Sequence, residues 1–276
     1  MHKSSSDYAI KLTALHGFTG NSSDFSLLKE QLSTLVGSTH QRTVEWCLPT
    51  LPGHEPDVPD NTPSTIQEYC NWVDHLSDSA HVKNHALNIL IGYSMGARLA
   101  LLHASAKTKF WDGIILISGN PGIIDDNARR SRIEEDAALI DIIKERGLEH
   151  FLRSWKENPI LRHQQNAPKE FLEAMQCRKS LLRDEGIIRA LLDFGQGVFP
   201  NLWDEITSIK SPILLISGQK DPKYTAMSLA IKNLSDNATH AIIETSGHSP
   251  HIEAPLEVAQ HIETFIKTLW SATSDF

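Results

Sequence analysis

The chain has 276 residues, 40% of them hydrophobic and 22% charged, with a formal net charge of −8. That length allows one large domain or two small ones with a substantial core, and the acidic balance argues against nucleic acid as a partner. Three scattered cysteines, Cys47, Cys70 and Cys177, form no C-x-x-C pair, which argues against a disulfide framework or a zinc site and fits a reducing compartment.

At the amino terminus, Met1-His2-Lys3-Ser4-Ser5-Ser6 lacks the apolar core of a signal peptide. No apolar run is long enough to span a bilayer, so a cytoplasmic location is expected. Ile10 to Leu15 reads as a buried strand ending at His16-Gly17-Phe18-Thr19-Gly20. Phe25, Leu28, Leu32 and Leu35 then recur at helical spacing, and Val44 to Leu48 is a second strand, broken by Pro49 and Pro52. Thr62-Pro63 is expected to open a helix with Ile66, Tyr69, Cys70, Val73 and Leu76 on one face. Leu87 to Ile91 is the next strand; it runs through Gly92-Tyr93-Ser94-Met95-Gly96 into a helical stretch, Ala97 to Leu102, followed by strand Gly113 to Ile117. This βαβ rhythm implies a mostly parallel sheet with helices on both faces.

The rhythm stops near Pro121-Gly122, and residues 123–205 read as helical and charged. Alternation resumes with strands Ile213 to Ile216 and His240 to Glu244, and a final amphipathic helix carries Val258, Ile262, Phe265, Ile266 and Leu269. The expected division is one α/β core from residues 1–122 and 206–276, with 123–205 as a helical cap insertion. Nine of the eleven arginines fall between residues 121 and 205, the other two being Arg42 and Arg98. Arginine suits bidentate capture of carboxylates, although most members of such a helical region serve only as solvated i,i+4 partners.

Strand, tight Gly-x-Ser-x-Gly turn, then helix is the setting of a nucleophile elbow, with Ser94 at its tip. A serine hydroxyl reacts only when a histidine takes its proton and a carboxylate fixes that histidine's tautomer. Asp221 follows strand 213–216 and His248 follows strand 240–244, giving the order Ser94, Asp221, His248. Carboxyl edges of parallel strands are also where such sheets bind ligands. His251 lacks this support and reads as a packing or surface residue. An oxyanion hole is expected from the N–H groups of Met95 and Phe18, with Gly17 allowing close approach and His16 anchoring the loop.

Leu15-His16-Gly17-Phe18, Leu51-Pro52-Gly53-His54, Gly92-Tyr93-Ser94-Met95-Gly96, Gly218-Gln219-Lys220-Asp221 and Gly247-His248 together resemble the α/β-hydrolase superfamily over nearly the whole chain. The implied fold is a mostly parallel sheet flanked by helices, with a helical cap. Within the superfamily the chain resembles the 2-succinyl-6-hydroxy-2,4-cyclohexadiene-1-carboxylate synthases of menaquinone biosynthesis. The residues that carry this likeness are Gly92 to Arg98, Gly119-Asn120-Pro121-Gly122-Ile123, Arg129 and Arg132, Ser154 to Pro159 around Trp155, Arg178, and Gly195 to Trp203.

That resemblance implies a lyase with neither metal nor organic cofactor, acting on a small polycarboxylate. His248 would activate Ser94 as the base that starts elimination of pyruvate from 2-succinyl-5-enolpyruvyl-6-hydroxy-3-cyclohexene-1-carboxylate. Arg98, Arg132 and Arg178 match the family's carboxylate-binding arginines, Tyr93 and Trp155 match its pocket residues, and Arg129 also aligns. Thr50, Glu55, Ala97 and Asn120 depart from the usual family pattern. The residues alone leave open a serine carboxylesterase or carbon–carbon bond hydrolase working through an acyl-enzyme. They also leave open a ligand receptor or interaction protein on the same fold.

Overall fold

The computed structural model describes residues 9–40, 44–57, 63–78, 85–108 and 110–274. Met1 to Ser6, Arg42 and Thr62 lie outside the described residues. The elements are, in order, β1 (Ala9–Leu15), α1 (Ser26–His40), β2 (Val44–Cys47), α2 (Ile66–Asp78), β3 (His85–Tyr93), α3 (Met95–Ala106) and β4 (Gly113–Ile117). They continue with α4 (Asp126–Arg146), α5 (Leu148–Lys156), α6 (Lys169–Lys179) and α7 (Asp184–Phe194). After these come β5 (Ile213–Gly218), α8 (Pro222–Leu234), β6 (Ala238–Ile243), α9 (Pro250–Glu253) and α10 (Pro255–Ser274). Short 3-10 turns occupy Ser22–Phe25, Pro159–Asn166 and Glu205–Ser208.

Among the described residues, six strands form one parallel sheet in the order β2-β1-β3-β4-β5-β6. Parallel strands covered on both faces need apolar side chains in both directions, and β4 and β5 are buried at every position. At the edge, β6 exposes Thr239 and Ile242. Alternation divides the core: Ile89 and Ile91 point to the layer of α1 and α10, where Phe25, Leu28, Leu32, Val258, Ile262 and Phe265 pack. Leu90 points to the opposite layer, with Tyr69 and Val73 of α2, Leu99 and Leu102 of α3, and Ile231 of α8.

Helix α2 starts later than the Thr62-Pro63 dipeptide suggested. Its cap is Thr65, whose hydroxyl accepts from Glu68 N (3.3 Å) while the Glu68 carboxylate accepts from Thr65 N (3.1 Å) and Ser64 N (2.8 Å). This reciprocal pair satisfies donors that a helix otherwise leaves open, so it outweighs the proline as a start signal. Helices α4 to α7 lie between β4 and β5 in the chain. Ile140, Ile143, Leu148, Phe151, Leu152, Leu182, Ile187 and Leu191 form their own small core, while Phe194, Phe199 and Leu202 pack into the sheet's layer.

Strand register gathers the polar residues that end these strands. Leu15 pairs with Gly92, Tyr93 with Ile117, Ile117 with Ile216 and Gly218 with Ile243. The residues immediately after these strands therefore collect on one edge of the sheet, bringing His16, Ser94, Ser118, Asp221 and His248 to the same side.

Candidate active site

Ser94 occupies the turn between β3 and α3 with φ 50° and ψ −106°, a left-handed conformation that costs a non-glycine residue of order 1–3 kcal/mol. The turn is held by Ser94 N donating to Ile117 O (3.0 Å) and by Arg98 N donating to Ser94 O (3.1 Å). Glycine is required on both flanks. A Cβ at Gly92 would strike the Gly96 carbonyl, and one at Gly96 would strike the Leu15 carbonyl, so β3, the turn and β1 could not close together.

His248 is 3% exposed and Asp221 7% exposed. His248 Nδ1 donates to Asp221 Oδ2 at 2.7 Å, which leaves Nε2 to accept from the Ser94 hydroxyl at 3.1 Å. Asp221 also caps α8, its Oδ1 accepting from Tyr224 N (3.3 Å). The His248 loop is fixed from two sides. Ser118 Oγ donates to His248 O (2.8 Å), and the Glu253 carboxylate accepts from Gly247 N (2.5 Å) and Ser249 N (3.1 Å), on either side of the histidine. Nothing in the local sequence around Ser118 or Glu253 marks them for this role.

The loop after β1 is built by two buried histidines. His16 Nδ1 donates to Gly17 O (2.8 Å) and its Nε2 accepts from Leu51 N (2.8 Å). His54 Nδ1 donates to Pro52 O (3.2 Å) and its Nε2 accepts from Thr19 N (3.1 Å). Both rings are therefore neutral. Burial, aided by the neighbouring His54, lowers His16 to about 3, and burial lowers His54 to about 4. A side chain at Gly17 would enter the Tyr93 ring. Among the described residues, the N–H groups of Phe18 and Met95 hydrogen-bond to nothing, the condition an oxyanion hole requires. The Phe18 ring meets Trp155 (5.4 Å) and Phe151 (6.2 Å), joining this loop to α5.

A cavity of about 160 Å³ opens over Ser94, bounded by Phe18, Tyr93, Met95, Trp155 and His248 and by cationic Arg98, Arg132 and Lys223. Arg98 is 6% exposed, stacks between Phe194 (5.2 Å) and Phe199 (5.3 Å), and donates through Nη1 to Phe194 O at 2.8 Å. Among the described residues it forms no ion pair with a carboxylate. Burial lowers this guanidinium to about 10, which keeps it charged at neutral pH. Arg132 reaches the same cavity from α4, but its Nε and Nη2 are engaged by Asp136 Oδ1 at 2.9 and 2.8 Å.

Other sequence candidates lie elsewhere. Arg178 does not line the cavity; it rests on Phe171 (5.7 Å) with Nη2 3.9 Å from Asp24. Arg129 donates to Gly197 O (2.9 Å) and ties α4 to the loop before Phe199. Glu55 is half-buried outside the cavity, with burial raising its carboxyl above the usual range. His251 is fully buried beside Tyr93 (4.3 Å) and Phe25 (5.0 Å), which selects packing from the packing or surface role its sequence context left open. Tyr93 turns its hydroxyl to Ser249 Oγ (2.6 Å) and its ring toward His248 (5.5 Å). Lys223 carries no sequence signal, being an ordinary helix lysine to any local reading, and Gln196 falls within the Gly195 to Trp203 stretch without being singled out there.

Comparison with known proteins identifies the family and the fold. The profile described as the alpha/beta hydrolase family matches residues 14–261. A Bacillus subtilis (strain 168) protein provisionally named 2-succinyl-6-hydroxy-2,4-cyclohexadiene-1-carboxylate synthase is 30% identical, with 94% of this chain and 90% of the relative covered. The synthase of that name from Enterobacter sp. (strain 638) is 25% identical, with 90% and 88% covered. Among solved structures, MenH from S. aureus matches with a TM-score of 0.83 at 26% identity, over 96% of this chain and 95% of that one. A thermophilic esterase from Thermogutta terrifontis shares the fold at a TM-score of 0.72 and 18% identity, with 96% and 92% covered.

Proposed function

This chain belongs to the alpha/beta hydrolase family, and we propose that it is a lyase that eliminates pyruvate from 2-succinyl-5-enolpyruvyl-6-hydroxy-3-cyclohexene-1-carboxylate. The observation that carries the reading is Arg98: a buried, charged guanidinium with no carboxylate partner among the described residues, in the wall of the cavity that holds the serine. A buried charge without an ionic partner is costly, and an anionic substrate supplies what the protein withholds. The relatives named for this reaction support the same substrate class.

The chemistry follows from the two ring systems. The substrate has a 3-ene and a leaving group on C5, and the product is a 2,4-diene. The proton lost is therefore the one on C2, and the bond broken is C5–O. C2 also bears the succinyl ketone, so charge left by the proton spreads onto that ketone oxygen. In this reading His248 accepts the Ser94 proton, Ser94 Oγ removes the C2 proton, and the N–H groups of Phe18 and Met95 hold the developing oxyanion. The electron pair moves through the ring to form the diene and expels the enolate of pyruvate, which is protonated on its methylene carbon as the His248 imidazolium gives up the proton it took from Ser94. Asp221 keeps Nδ1–H in place and stabilises the imidazolium between the two proton transfers. Residues 1–122 and 206–276 act as the core carrying this machinery, and residues 123–205 act as its cap. Arg98 and Arg132 contact carboxylates, Tyr93 and Trp155 shape the walls, and Arg178 braces the cap against Asp24.

The test is pyruvate release from the cyclohexene substrate, run beside hydrolysis of a neutral chromogenic ester. Turnover of the first far above the second supports the lyase. Rapid ester hydrolysis with no pyruvate would move the chain to the esterases.

A further inference from the structure

The cavity over Ser94, about 160 Å³, is smaller than the roughly 300–1,000 Å³ of ordinary small-molecule sites. A six-membered ring with three acidic arms exceeds it. A second cavity of about 410 Å³ lies alongside, floored by Ile123, Ile124, Trp203 and Met227. The two share Arg132, Gln196 and Lys223 as walls.

We propose that the site has two chambers and that Lys223 binds a second substrate carboxylate at the opening between them, apart from the one held by Arg98. Of the two cations on the shared wall, Arg132 already spends its charge on Asp136, which takes two of its three donor nitrogens, Nε and Nη2, with Glu135 4.0 Å from its Nε. Lys223 enters no ion pair among the described residues; its Nζ is 5.7 Å from the Tyr224 ring. Its backbone is fixed, because it follows Pro222 in the first turn of α8, which Asp221 caps, and its exposed side chain is left to reach the opening. Tyr224 is held in turn by Gln196 Nε2 donating to its hydroxyl (3.1 Å). Glu135 stands on the outer chamber with 71% of its side chain exposed and opposes an anion there. Lys223, without an ion pair among the described residues, is the positive charge that offsets it. The inner chamber thus holds the reacting ring against Ser94, and the outer chamber takes an arm that need not approach the base.

This inference rests on the lyase reading for its substrate, but its test does not need turnover. Binding of two probes is measured by calorimetry at low salt: 2-succinylbenzoate, with two carboxylates, and 2-butanoylbenzoate, with one. Lys223→Gln is expected to weaken the first about 5-fold to 10-fold and the second less than about 2-fold, Lys223→Arg to restore the first, and the difference to vanish near 1 M salt. Equal effects on both probes, no effect on either, or no binding of 2-succinylbenzoate by the wild type would overturn it. In the pyruvate assay the same Lys223→Gln change should raise KM and not lower kcat, since the contact is made equally in ground and transition states. A wild type that binds the probes as described yet releases no pyruvate would overturn the reaction and leave the two-chambered site standing.

Discussion

Replacing Arg98 with methionine should cost activity and no stability. Burial lowers the guanidinium to about 10, and at about 1.4 kcal/mol per pH unit the charge is about 3 kcal/mol costlier in place than in water. Against that stand one hydrogen bond to Phe194 O, worth about 1.5–3 kcal/mol with a charged donor, and the contacts with Phe194 and Phe199. Methionine keeps most of the packing and removes the buried charge, so Arg98→Met should leave unfolding free energy unchanged or raise it by about 1 kcal/mol. Activity should fall steeply, because a substrate carboxylate loses its charge-assisted partner: about 2–4 kcal/mol, or about 30-fold to 1,000-fold in kcat/KM. Urea denaturation at neutral pH gives the first quantity and coupled pyruvate detection the second. A variant that loses both in proportion would show that Arg98 serves the fold alone, and one that keeps its activity would refute the carboxylate assignment.

Asp221→Asn should lower kcat about 10⁴-fold by presenting the wrong histidine tautomer, and an intact near-ultraviolet dichroism spectrum would separate that from misfolding. Glu253→Gln removes the charge and one of the two oxygens of the carboxylate that accepts from the N–H groups on either side of His248; kcat should fall about 10-fold with little change in KM, and a change confined to KM would contradict a positioning role. His251 is lowered to about 3, mainly by burial, so unfolding takes up a proton between about pH 3 and 6.5 and stability is lost as pH falls through that window. His251→Phe abolishes this uptake. Its stability advantage over wild type should grow by about 1.4 kcal/mol per pH unit below about pH 6, and a pH-independent gap in urea titrations would refute the linkage.

The relay is legible in the sequence because strand ends are punctuated. Gly92 and Gly96 around Ser94, the Gly218 to Asp221 turn and Gly247-His248 each follow an apolar run, and parallel register brings the three to one edge. The role of His16 can be read from the same loop, but its counterpart cannot: His54 supports Thr19 across 35 residues, and no local pattern encodes that contact. The start of α2 is misread when proline is weighed above the Thr65–Glu68 capping pair, a signal present in the sequence. Arg132 and Asp136 are likewise visible at i,i+4 spacing. Arg178 is not decidable from sequence, since the rotation of α6 depends on Phe171 and Met175 packing against Ile252. Glu253 and Lys223 take their importance from loops and cavities assembled by distant segments.

The role of Ser94 as a base is open to direct measurement. Enzyme is mixed with the cyclohexene substrate, quenched in acid at intervals shorter than one turnover and weighed by intact-mass spectrometry. If Ser94 is the base, pyruvate accumulates without a burst while the enzyme mass stays that of the unmodified chain, and Ser94→Ala loses at least about three orders of magnitude in kcat. A Ser94 adduct that forms and decays as fast as product appears would contradict this, and would identify the serine as a covalent nucleophile.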